Sequence, residues 1–481
     1  MLFNDESPII EKHIALEYQA VQIADELTIM TIGVIQYLSS SRLRDLEFIC
    51  ERSINQIQID ESEFNERFEE AYKSKPELPS NSALEKDAVS PKGTGDNSRS
   101  FSATKPLNEI LNMAIRKKVS DIHFQPGEQG LLVRFRIDGD LQLHKRFSLS
   151  QQAPMLSRLK IMCDMDIAEM RLPQDSSMQY KYDNQTVDIR VSTLPGSYGE
   201  KIVLRILDKT SLILDLNYLG YLPMQIDILT RVLNEKTGII LLTGPTGSGK
   251  STTLYAALAH LNNDAVNILT VEDPIEYQME GITQTHHRSD IGYTFSAALR
   301  SMLRQDPDII MVGEMRDTET AQIAFRSSLT GHLVLSTLHT NDAIASIHRL
   351  GDMGIEPYII SSATRLIISQ RLTKRLCPKC KKPAQVDGNL CVTLGLENSQ
   401  IIYQPVGCDQ CNHGYMGRTA ISEMLEITER IRHLIEKKAS GDALKAAAVS
   451  DGFISLRDVA IQKLVGGEIG LENLYDLQLI S

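Results

Sequence analysis

Residues 244–251 read Gly-Pro-Thr-Gly-Ser-Gly-Lys-Ser, which fits the pattern Gly-x-x-x-x-Gly-Lys-Ser/Thr. A short apolar run, Ile239–Leu242, precedes it, and Leu254, Ala257, Leu258 and Leu261 follow on one helical stripe. That strand–loop–helix context is what phosphate chemistry requires. Glycines at 244, 247 and 249 let backbone N–H groups close on phosphate oxygens, and the positive pole of the helix adds to the attraction. Lys250 is suited to neutralise the β- and γ-phosphates, and the Ser251 hydroxyl to ligate Mg2+. Gly244, Pro245, Thr246, Gly247, Ser248, Gly249, Lys250, Ser251 and Thr252 are therefore the expected grip on a nucleoside triphosphate.

Two acidic stations follow, each after a run short enough to be one buried strand. "NILTVEDPIEY" delivers Glu272, Asp273 and Glu276, and "DPDIIMVGEMRD" delivers Glu314. Triphosphate hydrolysis needs an acid near Mg2+ and another to orient or deprotonate the attacking water. Strand ends in a parallel sheet share one edge with the phosphate loop, so both acids are expected there. Which of Glu272 and Glu314 is the general base stays open.

Seven cysteines are present, and four form matched pairs: "CPKC" at 377–380 and "CDQC" at 408–411. Cys377, Cys380, Cys408 and Cys411 supply four thiolates with no open position, which reads as structural Zn2+. Cys391, between the pairs, has no partner in spacing and reads as a small core residue.

These sites need elements to hold them. A chain of 481 residues is too long for one core and implies two to four domains. Residues 1–75 read as a small, mainly helical domain, with Leu43, Leu46, Phe48 and Ile49 near one helical face. Residues 76–104 are rich in Pro, Gly, Ser and charge and read as a flexible linker. Residues 105–208 alternate in period 2, as in "TVDIRVS", and read as an α+β domain with an antiparallel sheet. From 209 to 371, continuous apolar strands alternate with helices, implying an α/β core with a mostly parallel sheet. A tetracysteine subdomain at 372–416 and a helical subdomain at 417–481 complete the order. Net charge is −12 and mean hydropathy −0.16, which argues against a nucleic-acid track. No run approaches a membrane span, and "MLFNDESPII" lacks the make-up of a signal peptide. A cytosolic chain, joined to membranes only through partners, is expected.

Taken together, "GPTGSGKSTT", "TVEDPIEY", "LRQDPDIIMVGEMRD", "TAQIAFRSSLTGHLVLSTLHTNDA" and "CPKC…CDQCNHGYMGR" resemble the secretion ATPases of type II secretion and type IV pilus assembly. "SDIHFQP", "VRFRIDG" and "DIRVSTLPGSYGEKIVLRILD" extend the resemblance over residues 105 to 481. It implies a RecA-like P-loop core preceded by a PAS-like α+β domain, with ATP as substrate and Mg2+ and Zn2+ bound. Residue by residue, it makes 244–251 the Walker A loop, Glu272 the catalytic carboxylate of the aspartate box and Glu314 an unusual Walker B acid. His332 and His339 fall in the His box, which is thought to sense the γ-phosphate. Arg190 and Arg205 match arginines that the preceding domain swings onto that phosphate; Arg349 and Arg418 match positions near nucleotide. From the residues alone, Arg190 lies on the polar side of its strand. Arg205 is in phase with Val203 and Leu207, an apolar stripe where an unpaired charge is expensive, which favours a phosphate partner.

The resemblance further implies a homo-hexameric motor, cytoplasmic and peripheral at a bacterial inner membrane. It would dock through residues 1–75 on an inner-membrane protein and drive a platform that adds pilin or pseudopilin subunits. The tetracysteine insertion points to extension, not retraction. Rival readings are a DNA-translocating ring ATPase and a nucleotide-gated scaffold with little turnover.

Overall fold

The computed structural model describes residues 101–480, apart from 184, 208–213, 387 and 398–399, together with parts of the segment 14–71. The chain divides into two units, Met1–Asn97 and Ser98–Ser481.

In the first unit, strands β1 (Ala20–Asp25), β2 (Ile29–Val34) and β3 (Ser53–Gln58) form a sheet in the order β1-β2-β3. Helix α1 (Ser40–Cys50) links β2 to β3, which run parallel. Beside the expected helices, which among the described residues are α1 and short helical stretches at 14–15, 63–64 and 67–68, the unit holds a three-stranded sheet that the helical pattern did not announce. The physical reason is a period-2 stripe, since Met30, Ile32 and Val34 are all fully buried on one strand face. The expected linker lies outside the described residues except for 101–104.

The second unit opens with α2 (Thr104–Arg116), β4 (Asp121–Gly127), β5 (Gly130–Ile137), β6 (Asp140–Phe147), α3 (Leu149–Met162), β7 (Gln174–Tyr182), β8 (Gln185–Leu194) and β9 (Lys201–Leu207). The strands form one antiparallel sheet in the order β6-β5-β4-β9-β8-β7. One face, with Ile122, Phe124, Ile189, Ile202 and Leu204, is buried in a core shared with Leu107, Leu111 and Leu159 of the two helices. The opposite face keeps the polar residues of each alternation, Arg190 and Arg205 among them.

The larger domain follows with α4 (Pro223–Leu233), β10 (Gly238–Thr243), α5 (Lys250–Leu261), β11 (Ile268–Glu272), β12 (Ile282–His286), α6 (Phe295–Met302), β13 (Ile309–Val312), α7 (Thr318–Leu329), β14 (Leu333–Leu338), α8 (Ala343–Asp352) and α9 (Pro357–Ala363). Strand β15 (Thr364–Leu376) leads into β16 (Lys382–Gln385), α10 (Gly388–Leu394) and β17 (Ile401–Gln404). Strand β18 (Tyr415–Glu426) returns, and α11 (Glu429–Glu436), α12 (Gly441–Ser450), α13 (Leu456–Val465) and α14 (Leu471–Asp476) close the chain. Seven strands form a sheet in the order β12-β11-β13-β14-β10-β15-β18, parallel except for β18. Every residue of β10, β13 and β14 is buried, as both faces are covered by helices. The tetracysteine module grows from the far ends of β15 and β18, so the expected boundaries at 371/372 and 416/417 fall inside strands.

Candidate active site and metal centre

Strand β10 ends at Thr243, and the chain turns sharply into the glycine loop. Gly244 has φ +137°, and a Cβ there would lie 2.3 Å from the Gln370 carbonyl oxygen, so no other residue fits. Gly249, at φ +89°, caps α5 in the left-handed region and aims the helix N-terminus across the loop. The first-turn N–H groups of α5 have no intrahelical partners and are left for an anion. Lys250 folds back, its Nζ donating to the carbonyls of Gly244 at 2.8 Å and Pro245 at 3.1 Å. Burial pushes the Lys250 ammonium below its ordinary value, and the Glu314 carboxylate opposes that push. Ser251 and Thr252 are exposed on the first turn. The Ser248 hydroxyl is buried without a hydrogen-bond partner. An exposed cradle with a desolvated cation and an orphaned hydroxyl fits a polyphosphate with its cation.

Because β10, β11, β13 and β14 are parallel, the residues that follow them emerge on the same edge. Glu314, two residues beyond β13, lies two strands from β10, roughly 10 Å across the sheet. Its carboxylate meets Arg316 at 2.6 Å and His339 Nε2 at 3.2 Å. His339 itself follows β14, and its loop is pinned to the strand before the glycine turn. Thr340 N–H donates to Thr243 Oγ1 at 3.0 Å, and Thr243 Oγ1 donates to the Thr340 carbonyl at 2.7 Å. Glu272 ends β11, three strands from β10, roughly 14 Å across. It is only 4% exposed and faces neutral donors: Thr270 Oγ1 at 2.6 Å, Gln284 Nε2 at 3.1 Å and the Tyr255 hydroxyl.

The arginines arrive from the smaller domain. Arg190 crosses to the segment after β11, with Nη2 donating to the Ile275 carbonyl at 2.8 Å and Nη1 3.3 Å from Glu276. Arg205 stands opposite it in the β8–β9 register. Arg205 does not emerge from the buried stripe, contrary to expectation. Ile202 and Leu204 carry the buried stripe, whereas Arg205 lies on the other face, 63% exposed, with Nε 2.9 Å from Asp121. A carboxylate on β4 thus already partners its charge.

His332 is not brought to the site. It precedes β14, with Nδ1 2.9 Å from the Ser327 carbonyl, and its own carbonyl accepts from Gly238 N–H at the start of β10. The full length of β14 separates it from His339, roughly 20 Å. Its expected phosphate-sensing place is therefore corrected: a strand that long carries its two ends to opposite edges. Arg349 is exposed on the last turn of α8, a helix that starts at the site edge and leads away from it. Arg418 is exposed on β18 opposite Lys374, past the end of the β10–β15 pairing.

At the tips of β15 and β18, the ligand atoms of Cys377, Cys380, Cys408 and Cys411 lie within 4.8 Å of one another. Sulfur separations include 4.0 Å (377–408), 3.7 Å (380–411) and 3.6 Å (408–411). Tetrahedral Zn2+ with bonds of about 2.3 Å sets its sulfurs about 3.8 Å apart, so the four thiols fit that ion. Backbone N–H groups of Gly407 and Cys408 point at Cys380 and Cys411 sulfurs, at 3.4 and 3.2 Å, and would stabilise thiolates. Cys391 is fully buried in a separate apolar cluster with Leu394 and Ile402, as its isolation in the sequence suggests.

Residues 97–476 match the family model described as "Type II/IV secretion system protein". The chain belongs to this family. It is 48% identical over 371 residues to type II secretion system protein E of Aeromonas hydrophila, covering 76% of this chain and 74% of that protein. It is 46% identical over 377 residues to the type IV pilus assembly ATPase PilB of Myxococcus xanthus, covering 77% and 67% of the two chains. Among solved structures, the pilus retraction motor PilT with bound ADP superposes with TM-score 0.52 at 26% identity, over 77% of this chain and 96% of that one. The Legionella pneumophila ATPase DotB gives 0.58 at 22% identity, over 80% and 97%, and shares the fold. The chain is thus an ATPase of the secretion family. No helix among its described residues is long and apolar enough to cross a membrane.

Two supports of this secretion ATPase site escape sequence reasoning. Gln370, on β15, donates to the Ser248 carbonyl at 2.7 Å and accepts from Thr253 Oγ1 at 2.9 Å and from the Tyr221 hydroxyl. It clamps the glycine loop from a strand 122 residues away. Tyr255, on α5, reaches Glu272. A polar residue inside a buried strand and a tyrosine on an apolar helix face were the available signals.

Proposed function

We propose that the chain is the ATP-hydrolysing motor of a type II secretion or type IV pilus assembly machine, adding pseudopilin or pilin subunits through an inner-membrane platform. The observation that supports this best is the convergence of Glu272, Glu314 and His339 on the sheet edge occupied by the Lys250 loop. In this reading the Gly244–Thr252 segment binds the phosphates of ATP. Mg2+, held by Ser251 and Glu314, would supply charge neutralisation at the phosphates. The division of labour between the acids follows their places. Glu314, nearer the loop and electrostatically coupled to Lys250, serves the metal side. Glu272, farther out and fixed by neutral donors, orients and deprotonates the attacking water. His339 bridges Glu314 to the β10 end and reads the γ-phosphate. Arg190 and Arg205 present positive charge from the smaller domain, and Asp121 holds Arg205 until phosphate competes for it. Arg349 and Arg418 would serve a neighbouring subunit's nucleotide, and four cysteines hold structural Zn2+.

The working assembly is a homo-hexamer on the cytoplasmic side of the inner membrane, docked through residues 1–75 on an inner-membrane protein. The family match begins at residue 97, so that docking role rests on the sequence pattern alone. Steady-state phosphate release decides the catalytic reading: Glu314→Gln and Glu272→Gln are each expected to lose about a hundredfold or more. Wild-type rates in both variants would refute it.

A further inference from the structure

We propose that the Tyr255 hydroxyl is a positioning group that sets the direction of Glu272 and ties the arginine-contacting segment 275–277 to the phosphate-loop helix. The inference rests on the reading of Glu272 as the water-orienting acid.

Tyr255 sits on α5, one turn beyond Lys250, and is 2% exposed. A phenol has one hydrogen to donate and two lone pairs, and all three are used here. The hydrogen goes to Glu272 Oε2. The lone pairs accept from the backbone N–H groups of Glu276 at 3.1 Å and Tyr277 at 3.4 Å. Burial pushes the Tyr255 phenol well above its ordinary value, and Glu272 adds to that push, so the group stays a donor. Its ring is held edge-on to Tyr277, with centroids 5.6 Å apart.

A hydroxyl so placed does two things. Glu272 Oε1 is restrained by Thr270 and Gln284, but Tyr255 alone restrains Oε2 among the described residues. Without it the carboxylate can rotate away from the water it must orient. The 275–277 segment is also where Arg190 lands, on the Ile275 carbonyl and the Glu276 carboxylate. One oxygen on the nucleotide-binding helix therefore fixes both the hydrolytic acid and the landing site of the arginine domain. Apolar core packing, the usual task of a buried tyrosine, would not need that oxygen.

The test uses the full chain with Mg2+ and ATP. Tyr255→Phe keeps the ring and removes only the hydroxyl. Tyr255→Met, which adapts its shape, is the second variant should the first not fold. Expected is a fall in kcat of roughly ten- to hundredfold, the equivalent of one hydrogen bond to a charged group, with ATP affinity within about threefold of wild type. Combined with Glu272→Asp, whose shorter side chain cannot reach Tyr255, the Phe substitution should cost only what the tie to segment 275–277 contributes, well under its loss in the wild-type background. Wild-type kcat in the folded variant, or a loss that multiplies in full with that of Glu272→Asp, would overturn the proposal. Full activity of Glu272→Gln would instead defeat the underlying assignment of the acid.

Discussion

Gln370 offers a sharp measure of how the glycine loop is held. It is 2% exposed and joins the loop, through the Ser248 carbonyl, to the hydroxyls of Tyr221 and Thr253. Gln370→Met conserves volume and removes both amide functions. Tyr221 and Thr253 keep one bond to each other, with oxygens 3.1 Å apart, so one hydroxyl hydrogen and the Ser248 carbonyl lose their partners, and only the carbonyl belongs to the glycine loop. A buried acceptor left alone costs about 1–3 kcal/mol. The loop avoids that cost by relaxing outward when nucleotide is absent, so the penalty appears as a smaller population of the gripping conformation. At about 2 kcal/mol the ratio of gripping to relaxed loops falls about thirtyfold; starting from near-equal populations, roughly 3% still grip and the apparent Kd for ATP rises about fifteenfold. A fluorescent ATP analogue titrated without turnover reads this directly, and the unfolding midpoint should move little. A Kd within twofold of wild type, in a folded protein, would show that the glycine loop holds its shape without β15.

The two histidines should separate cleanly: His339→Ala loses about tenfold or more in phosphate release, whereas His332→Ala stays within about threefold, because only His339 reaches Glu314. Native mass spectrometry should find one Zn2+ per chain, lost in Cys377→Ser or Cys411→Ser but kept in Cys391→Ala; stripping the metal should lower the unfolding midpoint. Burial raises the Glu423 carboxyl above its ordinary value of 4.5, although the N–H groups of Ala343 and Leu456 donate to it. A raised acid contributes stability that is complete below pH 4.5 and is lost as pH rises through its folded value. The midpoint advantage of wild type over Glu423→Gln should therefore be larger at pH 4.5 than at pH 7; a pH-independent difference would contradict the shift.

What was legible in the sequence was chemistry written over a few consecutive residues. A glycine loop needs its glycines in order, and paired cysteines need their spacing, so both could be read locally. The two histidines show where this stops. One block of sequence contains both, yet a fully buried six-residue strand lies between them and carries them to opposite sheet edges. Arg205 shows a second limit. Both alternating stripes of β9 are largely apolar, so period 2 alone does not say which one faces the core. Its partner, Asp121, lies 84 residues earlier and becomes a neighbour only through the β4–β9 pairing. In the first 75 residues, short alternating runs such as "IMTIGV" were overshadowed by the more obvious helix at 40–50.

The seam between the arginine domain and the larger domain has the energetics a reversible device requires. It touches on both sides of the glycine loop. Arg190 reaches the β11 side, while Asp138, Asp140 and Gln142 meet Gly417, Lys374 and Asn412 on the β15–β18 side. All are polar contacts, and their ion pairs are partly solvated: the Lys374 and Asp140 side chains are 24% and 54% exposed, and Arg190 and Glu276 are 32% each. Exposed pairs of this kind contribute about 0–1 kcal/mol apiece, far less than an apolar interface would. The seam therefore closes weakly by itself, and a few kcal/mol from a γ-phosphate shared by arginines and glycine loop would dominate the balance. Loss of that phosphate would leave only these weak polar contacts to hold the domains together. Coupling of hydrolysis to movement thus needs no strong latch, only a closed state kept marginal by the polarity of its contacts.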